Sequence, residues 1–460
     1  MPLAIAMGGF VLLWVIWYPP SIAILDESAY LTQAQLYSTG KFVGDASAQT
    51  AAMRETGRGW VSRYPPAQSV VLAPTQWFHW RAGFLAPLGL ALLATLFCAA
   101  TLKRNGFPGA WSLLLLLHPA VVLYSRTLMS EALAMLVVAV ALWASDPDRP
   151  RTAVAGVVLG IMPAVREALL PVALVLGGLT ALRHWRSGGV KAVAPLALGA
   201  GIPLVALATY NHVVFDDPAS LRVNWNLFTD WTGAPERGVF YFLALNLLWP
   251  GMLVGICAAE FRRKLDVMLL TAAGFVVYAA YGFVDRRHGM PADLVVGLRF
   301  FVPLLPALLL GYVALLHRYW GRGLRSVRLQ VFAALVLVAA NAAVAATHQG
   351  FLIDTALRRE AAIESTREAS VVIAHENAAE LFNPAWGGPP VVVVRTVEEL
   401  LHELAVFACT PGGAVGVAQG ASAVDLAAAP SAATPTDGLA MIRSDPSTCS
   451  DTREEEGRNR

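Results

Sequence analysis

Long apolar stretches with very few charges dominate the pattern of this chain. Eleven such windows follow one another, at residues 3–25, 82–102, 107–124, 128–145, 152–165, 168–182, 192–210, 239–259, 267–284, 300–316 and 328–347. A membrane-spanning helix needs about 20 mostly apolar residues, a length that the shorter windows reach only with their flanking residues. The pattern therefore predicts an all-α polytopic membrane protein with about 11 transmembrane helices.

The composition agrees with this prediction. Of the 460 residues, 56% are hydrophobic and only 14% are charged, whereas a soluble chain carries about 25% charged residues. These values exclude an ordinary soluble enzyme and a disordered chain, which needs low hydrophobicity and high charge. The net charge of +2 creates no global basic field, so nucleic acid is not an expected partner. The apolar windows make membrane lipids the expected partners.

The loops between the windows indicate an orientation. Every second loop is short and basic, and these loops contain Lys103, Arg104, Arg149, Arg151, Arg183, Arg186, Lys191, Arg262, Arg263, Lys264, Arg318, Arg322 and Arg325. Short loops rich in Lys and Arg stay in the cytoplasm. We therefore expect a cytoplasmic N-terminus and a periplasmic C-terminus. The Ala-rich, multi-span chain with cysteines on the outer side indicates a bacterial inner membrane. Tyr18-Pro19-Pro20 replaces the small residues of a signal-peptide cleavage site, so the first window is expected to be retained as a helix.

The first outer loop, residues 26–81, has a pattern of its own. Asp26 is placed to cap the N-terminus of a helix that extends to Tyr37. A second apolar stretch runs from Tyr64 to Trp80 and is rich in aromatic residues. Such stretches are typical of helices that lie in the membrane interface.

The C-terminal part differs from the preceding chain. We expect a transmembrane domain over residues 1–349, a small extracytoplasmic α/β unit over 350–420 and a disordered, Ala/Pro/Ser/Thr-rich tail over 421–460. Within the α/β unit, 371–374 and 391–394 have the apolar runs of buried strands, and a helix is predicted to begin at Thr396. A disulfide between Cys409 and Cys449, both on the outer side, is a hypothesis; unpaired cysteines are the alternative.

Charged groups gather at the predicted outer ends of the helices rather than inside them. Almost every window is free of charged side chains in its interior, with His118 as the exception. No internal repeat or mid-membrane carboxylate favours a transporter. Arg126 and Arg166 each lie in a tight turn before a helix, and arginine beside a helix N-terminus suits a phosphate. The Asp26-Glu27 pair at a helix start suits a general base or metal ligands.

Five short motifs resemble those of a known family in their order and placement. They are Asp26-Glu27 with Tyr30, Arg63-Tyr64-Pro65-Pro66, Leu123-Tyr124-Ser125-Arg126-Thr127-Leu128-Met129-Ser130-Glu131, Arg166-Glu167 and Leu298-Arg299-Phe300-Phe301-Val302-Pro303. Over residues 1–320 the chain is similar to the GT-C glycosyltransferases that use polyprenyl-phosphate sugars. Within these it most resembles the protein O-mannosyltransferase and lipid A aminoarabinose transferase group.

The resemblance implies an inverting sugar transfer at the outer membrane face. It assigns Asp26 as the catalytic base and Glu27 as its support, with a divalent metal ion at this pair as the candidate cofactor. It also implies a polyprenyl-phosphate sugar as donor and a lipid, glycan or protein as acceptor. The substrate-binding residues that it implies are Tyr30, Arg63, Tyr64, Arg126, Glu131, Arg166 and Arg299.

Two other functions stay open at this point. A ligase or flippase-like handler of lipid-linked glycans would keep the phosphate-binding arginines but would not depend on Asp26. A transporter or non-catalytic membrane scaffold would be favoured by an internal repeat, and the sequence shows none. The chain also lacks the large lumenal insertion of the eukaryotic protein mannosyltransferases, which puts a protein acceptor in doubt.

Overall fold

Helices make up most of the protein in a computed structural model of the whole chain. The structure describes residues 2–45, 52–220, 231–282, 289–319, 327–375, 378–382, 389–407, 413–419, 434–436 and 439–444. The helices are Pro2–Ile16 (α1), Leu25–Ser38 (α2), Ala67–Leu72 (α3), Leu85–Arg104 (α4), Leu113–Leu116 (α5), Pro119–Tyr124 (α6), Glu131–Ala144 (α7), Thr152–Val165 (α8), Leu170–Phe215 (α9), Ala234–Leu248 (α10), Met252–Ala258 (α11), Lys264–Ala280 (α12), Ala292–Val296 (α13), Leu305–Tyr319 (α14), Val327–Thr366 (α15) and Val397–Phe407 (α16). Short 3₁₀ segments lie at Ala73–Trp77, Trp80–Phe84, Gly109–Ser112, Glu167–Leu169, Gly297–Leu304 and Ala379–Leu381.

The chain divides into two compact units. The first unit comprises residues 1–19, 65–68 and 82–350. The second unit comprises residues 20–64, 69–81 and 351–460. The predicted domain boundary at 349/350 therefore falls beside a boundary between the units, but the segment that follows shares its unit with most of the first outer loop.

Several helical stretches have the length and composition of membrane spans. In the described part of the chain, four are long and apolar enough to cross a membrane: Trp80–Arg104, Glu167–Phe215, Ala292–Arg318 and Val336–Thr366. Three shorter apolar helices are Ala6–Ile16, Glu131–Ala144 and Thr152–Val165. These helices agree with a polytopic helical membrane protein, while the number of eleven spans and the orientation stay predictions.

Helix boundaries depart from the apolar windows in three places. The window 107–124 is broken at His118, whose Nδ1 accepts a hydrogen bond from the Ala120 N–H at 3.2 Å and caps α6. The predicted loop 183–191 lies within the range of α9, in which two helices meet at a kink at Gly189, where φ is +60°. The last window continues as α15 to Thr366 and joins the polar segment that follows it. Hydropathy alone does not show where a helix bends or ends, because capping and glycine geometry decide that.

The second unit begins with α2 and a short antiparallel hairpin. Its strands are Met53–Thr56 (β1) and Gly59–Ser62 (β2). The buried Gln33 joins α2 to this hairpin, because its Oε1 accepts from the Ser62 N–H at 2.8 Å. Its Nε2 donates to the Phe42 carbonyl at 3.0 Å. One amide side chain thus ties the helix to two neighbouring segments of the loop.

A five-stranded mixed sheet forms the other part of the second unit. Its strands are Val371–His375 (β3), Val391–Val394 (β4), Ala414–Gln419 (β5), Thr434–Thr436 (β6) and Leu439–Arg443 (β7). The order is β4-β3-β5-β7-β6, with β3 parallel to β4 and β5, and β7 antiparallel to β5 and β6.

Alternate residues of β3 face different helices. Val371 and Ile373 pack with Leu400 and Leu404 of α16. Val372 and Ala374 pack in a second cluster that includes Ala362 of α15. This two-residue alternation is the period of a strand buried on both faces.

The prediction of a disordered tail from residue 421 is wrong for residues 434–436 and 439–443. These residues form β6 and β7, and Met441 and Ile442 are buried. The region was predicted as disordered from its overall Ala/Pro/Ser/Thr bias, although it contains a short apolar strand. Cys409 and Cys449 lie outside the described residues, so their pairing stays a hypothesis.

Small residues allow α8 and α9 to approach closely. A Cβ atom added at Gly156 or Gly160 of α8 would collide with the α9 backbone at Leu196 or Ala200. Gly199 of α9 faces the α8 backbone in the same way. Small residues spaced four apart are a common way for membrane helices to pack, since they replace side-chain bulk with backbone contact.

We expect Gly160→Leu to lower the free energy of unfolding by about 2 kcal/mol, because the added side chain must push α9 away. Thermal unfolding of the purified protein in detergent measures this loss. Gly201→Leu is the control, because no atom lies within 4 Å of a Cβ added at that position of α9. Equal stability of the two variants would contradict the packing argument.

Candidate functional site: two groups of charged residues

Asp26 and Tyr64 form the first group, in the second unit. Ile24 occupies the N-cap of α2, so the prediction that Asp26 is the N-cap is wrong, and Asp26 lies within the first turn. Tyr64 Oη donates a hydrogen bond of 2.6 Å to Asp26 Oδ1. The Tyr64 ring stacks on Tyr30 with centroids 5.0 Å apart and an interplanar angle of 28°. The half-buried Asp26 carboxylate is thereby held by a tyrosine that is itself fixed in place.

Glu27 stabilises the start of the helix that carries Asp26. Its side chain is fully buried, and its Oε2 accepts from the N–H groups of Ala23 at 2.6 Å and Ile24 at 3.1 Å. These amides would otherwise lack partners at the helix N-terminus. The negative charge also interacts favourably with the helix dipole.

The carboxylates of Asp26 and Glu27 do not fit the predicted divalent metal site. Asp26 Oδ1 is bonded to Tyr64, whereas Glu27 Oε2 is bonded to backbone amides. Within the described ranges there is also no group of three or more His, Cys, Asp or Glu side chains that could hold a metal ion. No step of the chemistry is therefore assigned to a metal.

Tyr30 and Arg63, the other predicted residues of the second unit, have different surroundings. Tyr30 is buried, and its carbonyl accepts from Ser69 Oγ at 3.0 Å. Arg63 is exposed at the end of β2. Tyr30 therefore supports the Tyr64 ring by stacking on it, and Arg63 places its charge at the surface of the unit.

Glu131, Arg166 and Arg299 form the second group, in the first unit. Glu131 begins α7 and its side chain is fully buried. Its Oε1 accepts from Arg166 Nη1 at 3.0 Å and from Arg299 Nε at 2.7 Å. Three residues far apart in sequence thus meet, and two guanidinium groups around one carboxylate leave a net positive charge.

An aromatic ring supports both arginines. The guanidinium carbon of Arg166 lies 5.0 Å from the centroid of Phe300, and that of Arg299 lies 5.7 Å from it. Such cation–π contacts add to the ion pairs. The arginine side chains are 12% and 15% exposed, whereas that of Glu131 is 0% exposed. The carboxylate is enclosed and the two cations face a partly open space.

Arg126 has a different environment from the one that its motif predicts. It is buried, and its Nη1 donates to the Trp17 carbonyl while its Nη2 donates to Gln349 Oε1 at 2.6 Å. Gln349 Nε2 in turn donates to the Tyr18 carbonyl at 3.2 Å. Burial lowers the pKa of Arg126 to about 10, which leaves it charged at neutral pH. The guanidinium joins the residues after α1, the turn before α7 and α15.

Tyr241 and Tyr278 lie beside the second group and were not named in the sequence analysis. Both are buried, and neither hydroxyl has a hydrogen-bond partner among the described residues. Tyr278 packs on Phe300 at 5.6 Å and Tyr241 packs on Phe301 at 4.8 Å. Both phenols lie within electrostatic range of Arg166. Because buried hydroxyls are normally bonded, these two are available to bond with a polar group beside the arginines.

The chain has a GT-C membrane fold, and its likeness to two solved structures is what shows this. The chain is similar to the crystal structure of ArnT from Cupriavidus metallidurans bound to undecaprenyl phosphate, with a TM-score of 0.63 and 16% identity. It is also similar to ArnT from the same organism in the apo state, with a TM-score of 0.59 and 14% identity. Both likenesses cover 97% of this chain and 98% of the other.

These likenesses confirm the predicted fold family and, at this identity, concern the fold alone. No protein-family profile matches the chain, and no curated protein sequence matches it. The roles of the two groups of residues therefore have to be argued from their chemistry.

We expect Glu131→Ala to lower the free energy of unfolding by about 3 kcal/mol, because it leaves two arginines without their buried partner. Denaturant unfolding in detergent micelles measures the change. Glu260→Gln is the control, since Glu260 forms an exposed pair with Lys264 at 2.8 Å, and exposed pairs contribute little. Wild-type stability of Glu131→Ala would show that the arginines do not depend on this carboxylate.

Proposed function

We propose that this chain is an integral-membrane glycosyltransferase that moves a sugar from a polyprenyl-phosphate donor to an acceptor hydroxyl. The transfer takes place at the outer face of a bacterial inner membrane and inverts the sugar's configuration. The observation that carries the proposal is the second group, in which a buried carboxylate holds two partly accessible guanidinium groups. The GT-C fold shared with ArnT, whose structure is bound to undecaprenyl phosphate, supports it.

Arg166 and Arg299 are the phosphate-binding residues in this proposal. Guanidinium groups match the geometry of phosphate oxygens and keep their charge at any physiological pH. Held in an apolar setting, they stabilise the negative charge that develops on the leaving phosphate far more strongly than they would in water. Glu131 positions both of them, and this explains why it is the enclosed member of the group.

Tyr241 and Tyr278 complete the donor site. Their hydroxyls donate hydrogen bonds to the phosphate or the sugar next to Arg166. The cost of leaving two buried hydroxyls without partners is then offset when the donor binds. We assign Arg126 to the framework rather than to the phosphate site, because its Nη1 and Nη2 donate to Trp17 and Gln349.

Asp26 is the catalytic base. It takes the proton from the acceptor hydroxyl while the acceptor oxygen forms a bond to the anomeric carbon. The bond from that carbon to the phosphate oxygen breaks, and the lipid phosphate leaves with the electron pair. The leaving group is already an anion and needs no general acid, so one carboxylate and a cationic phosphate site suffice. Tyr64 orients the carboxylate.

We expect Asp26→Asn to reduce transfer by about 10²- to 10⁴-fold without loss of folded protein, because asparagine can still accept the Tyr64 hydrogen bond. The measurement is transfer from radiolabelled polyprenyl-phosphate sugars in membranes that contain equal amounts of each variant. Tyr64→Phe, which keeps the base but loses one hydrogen bond, should reduce transfer by about tenfold.

The same experiment separates the alternatives. If Asp26→Asn transfers sugar at the wild-type rate, Asp26 is not the base. If the wild type transfers no sugar from any donor although it is folded, the chain handles lipid-linked glycans without transferring sugar, or is a transporter or scaffold.

The double variant Tyr241→Phe, Tyr278→Phe should bind undecaprenyl phosphate about tenfold more weakly with no loss of stability. Its stability should hold because the missing hydroxyls have no partner among the residues that the structure describes. Tyr124→Phe is the matched control: Tyr124 Oη donates to the Val296 carbonyl at 2.8 Å, so this variant should lose stability and keep its affinity. Binding measured by native mass spectrometry, together with thermal unfolding, tests both; unchanged affinity of the double variant would remove the tyrosines from the site.

A further inference from the structure

The second unit contains a cavity of about 620 Å³ that the proposed function does not use. This volume lies within the range of about 300–1,000 Å³ that is usual for small-molecule sites. The lining combines aromatic, amide and charged side chains. The residues that carry the argument are Gln35, Gln76, His79, Trp80, Arg359 and the acidic pair Glu360 and Glu364.

The cavity is separate from the Asp26–Tyr64 group. Gln35 and Asp26 both belong to α2, and an α-helix turns by about 100° and rises by 1.5 Å for each residue. The two side chains therefore lie on opposite sides of the helix, about 13 Å apart along its axis. A ligand in the cavity would leave the face of α2 that carries Asp26 uncovered.

Gln76 gives the cavity an unused hydrogen-bond acceptor. Its Nε2 donates to Thr75 Oγ1 at 3.0 Å and to the Leu72 carbonyl at 3.4 Å, which fixes the amide. Its Oε1 is buried and has no partner in the part of the chain that the structure describes. Buried polar atoms of this kind need a ligand or a water molecule, and a sugar hydroxyl can donate to it.

Two other sides of the cavity are formed by aromatic rings and by an arginine that is held in place. Trp80 and His79 have ring centroids 5.7 Å apart and an interplanar angle of 32°, so two aromatic rings lie side by side, of which the Trp80 ring is the apolar one. Arg359 is buried and donates to Ser21 Oγ, which holds the guanidinium in the wall. A flat apolar surface beside amides and charged groups suits a ring that has one C–H face and a rim of hydroxyls.

The charge of the cavity narrows the class of ligand. Glu360 and Glu364 are four residues apart on α15 and lie on one face. Arg359 lies in the lining beside them, and Glu364 also pairs with Arg367 at 3.4 Å. The acidic groups thus balance the basic ones, so the lining has no excess positive charge that would attract an acidic ligand. We propose that this cavity binds a sugar unit without acidic groups, as part of a glycan acceptor. The assignment of that sugar to the acceptor rests on the proposed function, whereas the binding itself does not.

The test is binding of maltotriose, chitotriose and trigalacturonic acid to the full chain in lipid nanodiscs, measured by saturation-transfer NMR and calorimetry. We expect saturable binding of at least one neutral trisaccharide and weaker binding of the acidic one. Gln76→Ala and Trp80→Ala should each lower the affinity for the neutral trisaccharide by about tenfold. The double variant Glu360→Gln, Glu364→Gln should reduce the preference for the neutral ligand.

Two controls make the result specific. Glu368→Gln changes an acid that is 87% exposed and lies beyond the end of α15, and it should bind like the wild type. Asp26→Asn should bind the neutral trisaccharide with wild-type affinity. The binding result therefore stands even if the transfer experiment fails. Absence of saturable binding by the folded wild type, or equal affinity of Gln76→Ala and wild type, would overturn the cavity proposal.

Discussion

The first unit depends on one buried carboxylate. Two guanidinium groups in an apolar helical protein are strongly disfavoured without a partner, and Glu131 supplies that partner to both. The pairing requires the start of α7, the end of α8 and the 3₁₀ segment Gly297–Leu304 to meet at one point. The close approach of α8 and α9 through Gly156 and Gly160 then fixes the helix that ends beside Arg166. The two arginines that suit a phosphate are therefore the same side chains that hold these segments together through Glu131.

The helical regions and the fold were the features best predicted from the sequence, through its composition and the order of its motifs. Its apolar windows locate the helical regions, and the order of the motifs indicates the GT-C fold that the ArnT likeness confirms. It also names Glu131, Arg166 and Arg299, although it does not show that a single carboxylate oxygen holds both arginines. Arg126 was placed with them because it shares their charge and precedes a helix. Its hydrogen bonds to Trp17 and Gln349 depend on contacts that no local pattern reveals.

Other errors have local physical causes. The helix α2 begins one residue before Asp26, so Glu27 provides the capping hydrogen bonds that were expected of its neighbour. Tyr241 and Tyr278 lie inside apolar windows, where a single hydroxyl hardly changes the hydropathy; only their contacts with Phe300 and Phe301 place them beside the arginines. The break at His118 follows from its side chain capping α6. In each case a hydrogen bond or a packing contact outweighs the pattern of residues.

The strand order of the sheet has a consequence for biosynthesis. β5 lies between β3 and β7, and β7 is separated from β5 by nearly twenty intervening residues. While the chain is being made, β3, β4 and β5 precede β7, and until β7 is in place the edge of β5 is unpaired. An unpaired strand edge is a template for association with other chains. The C-terminal strand β7 therefore protects β5 from pairing with a neighbouring chain.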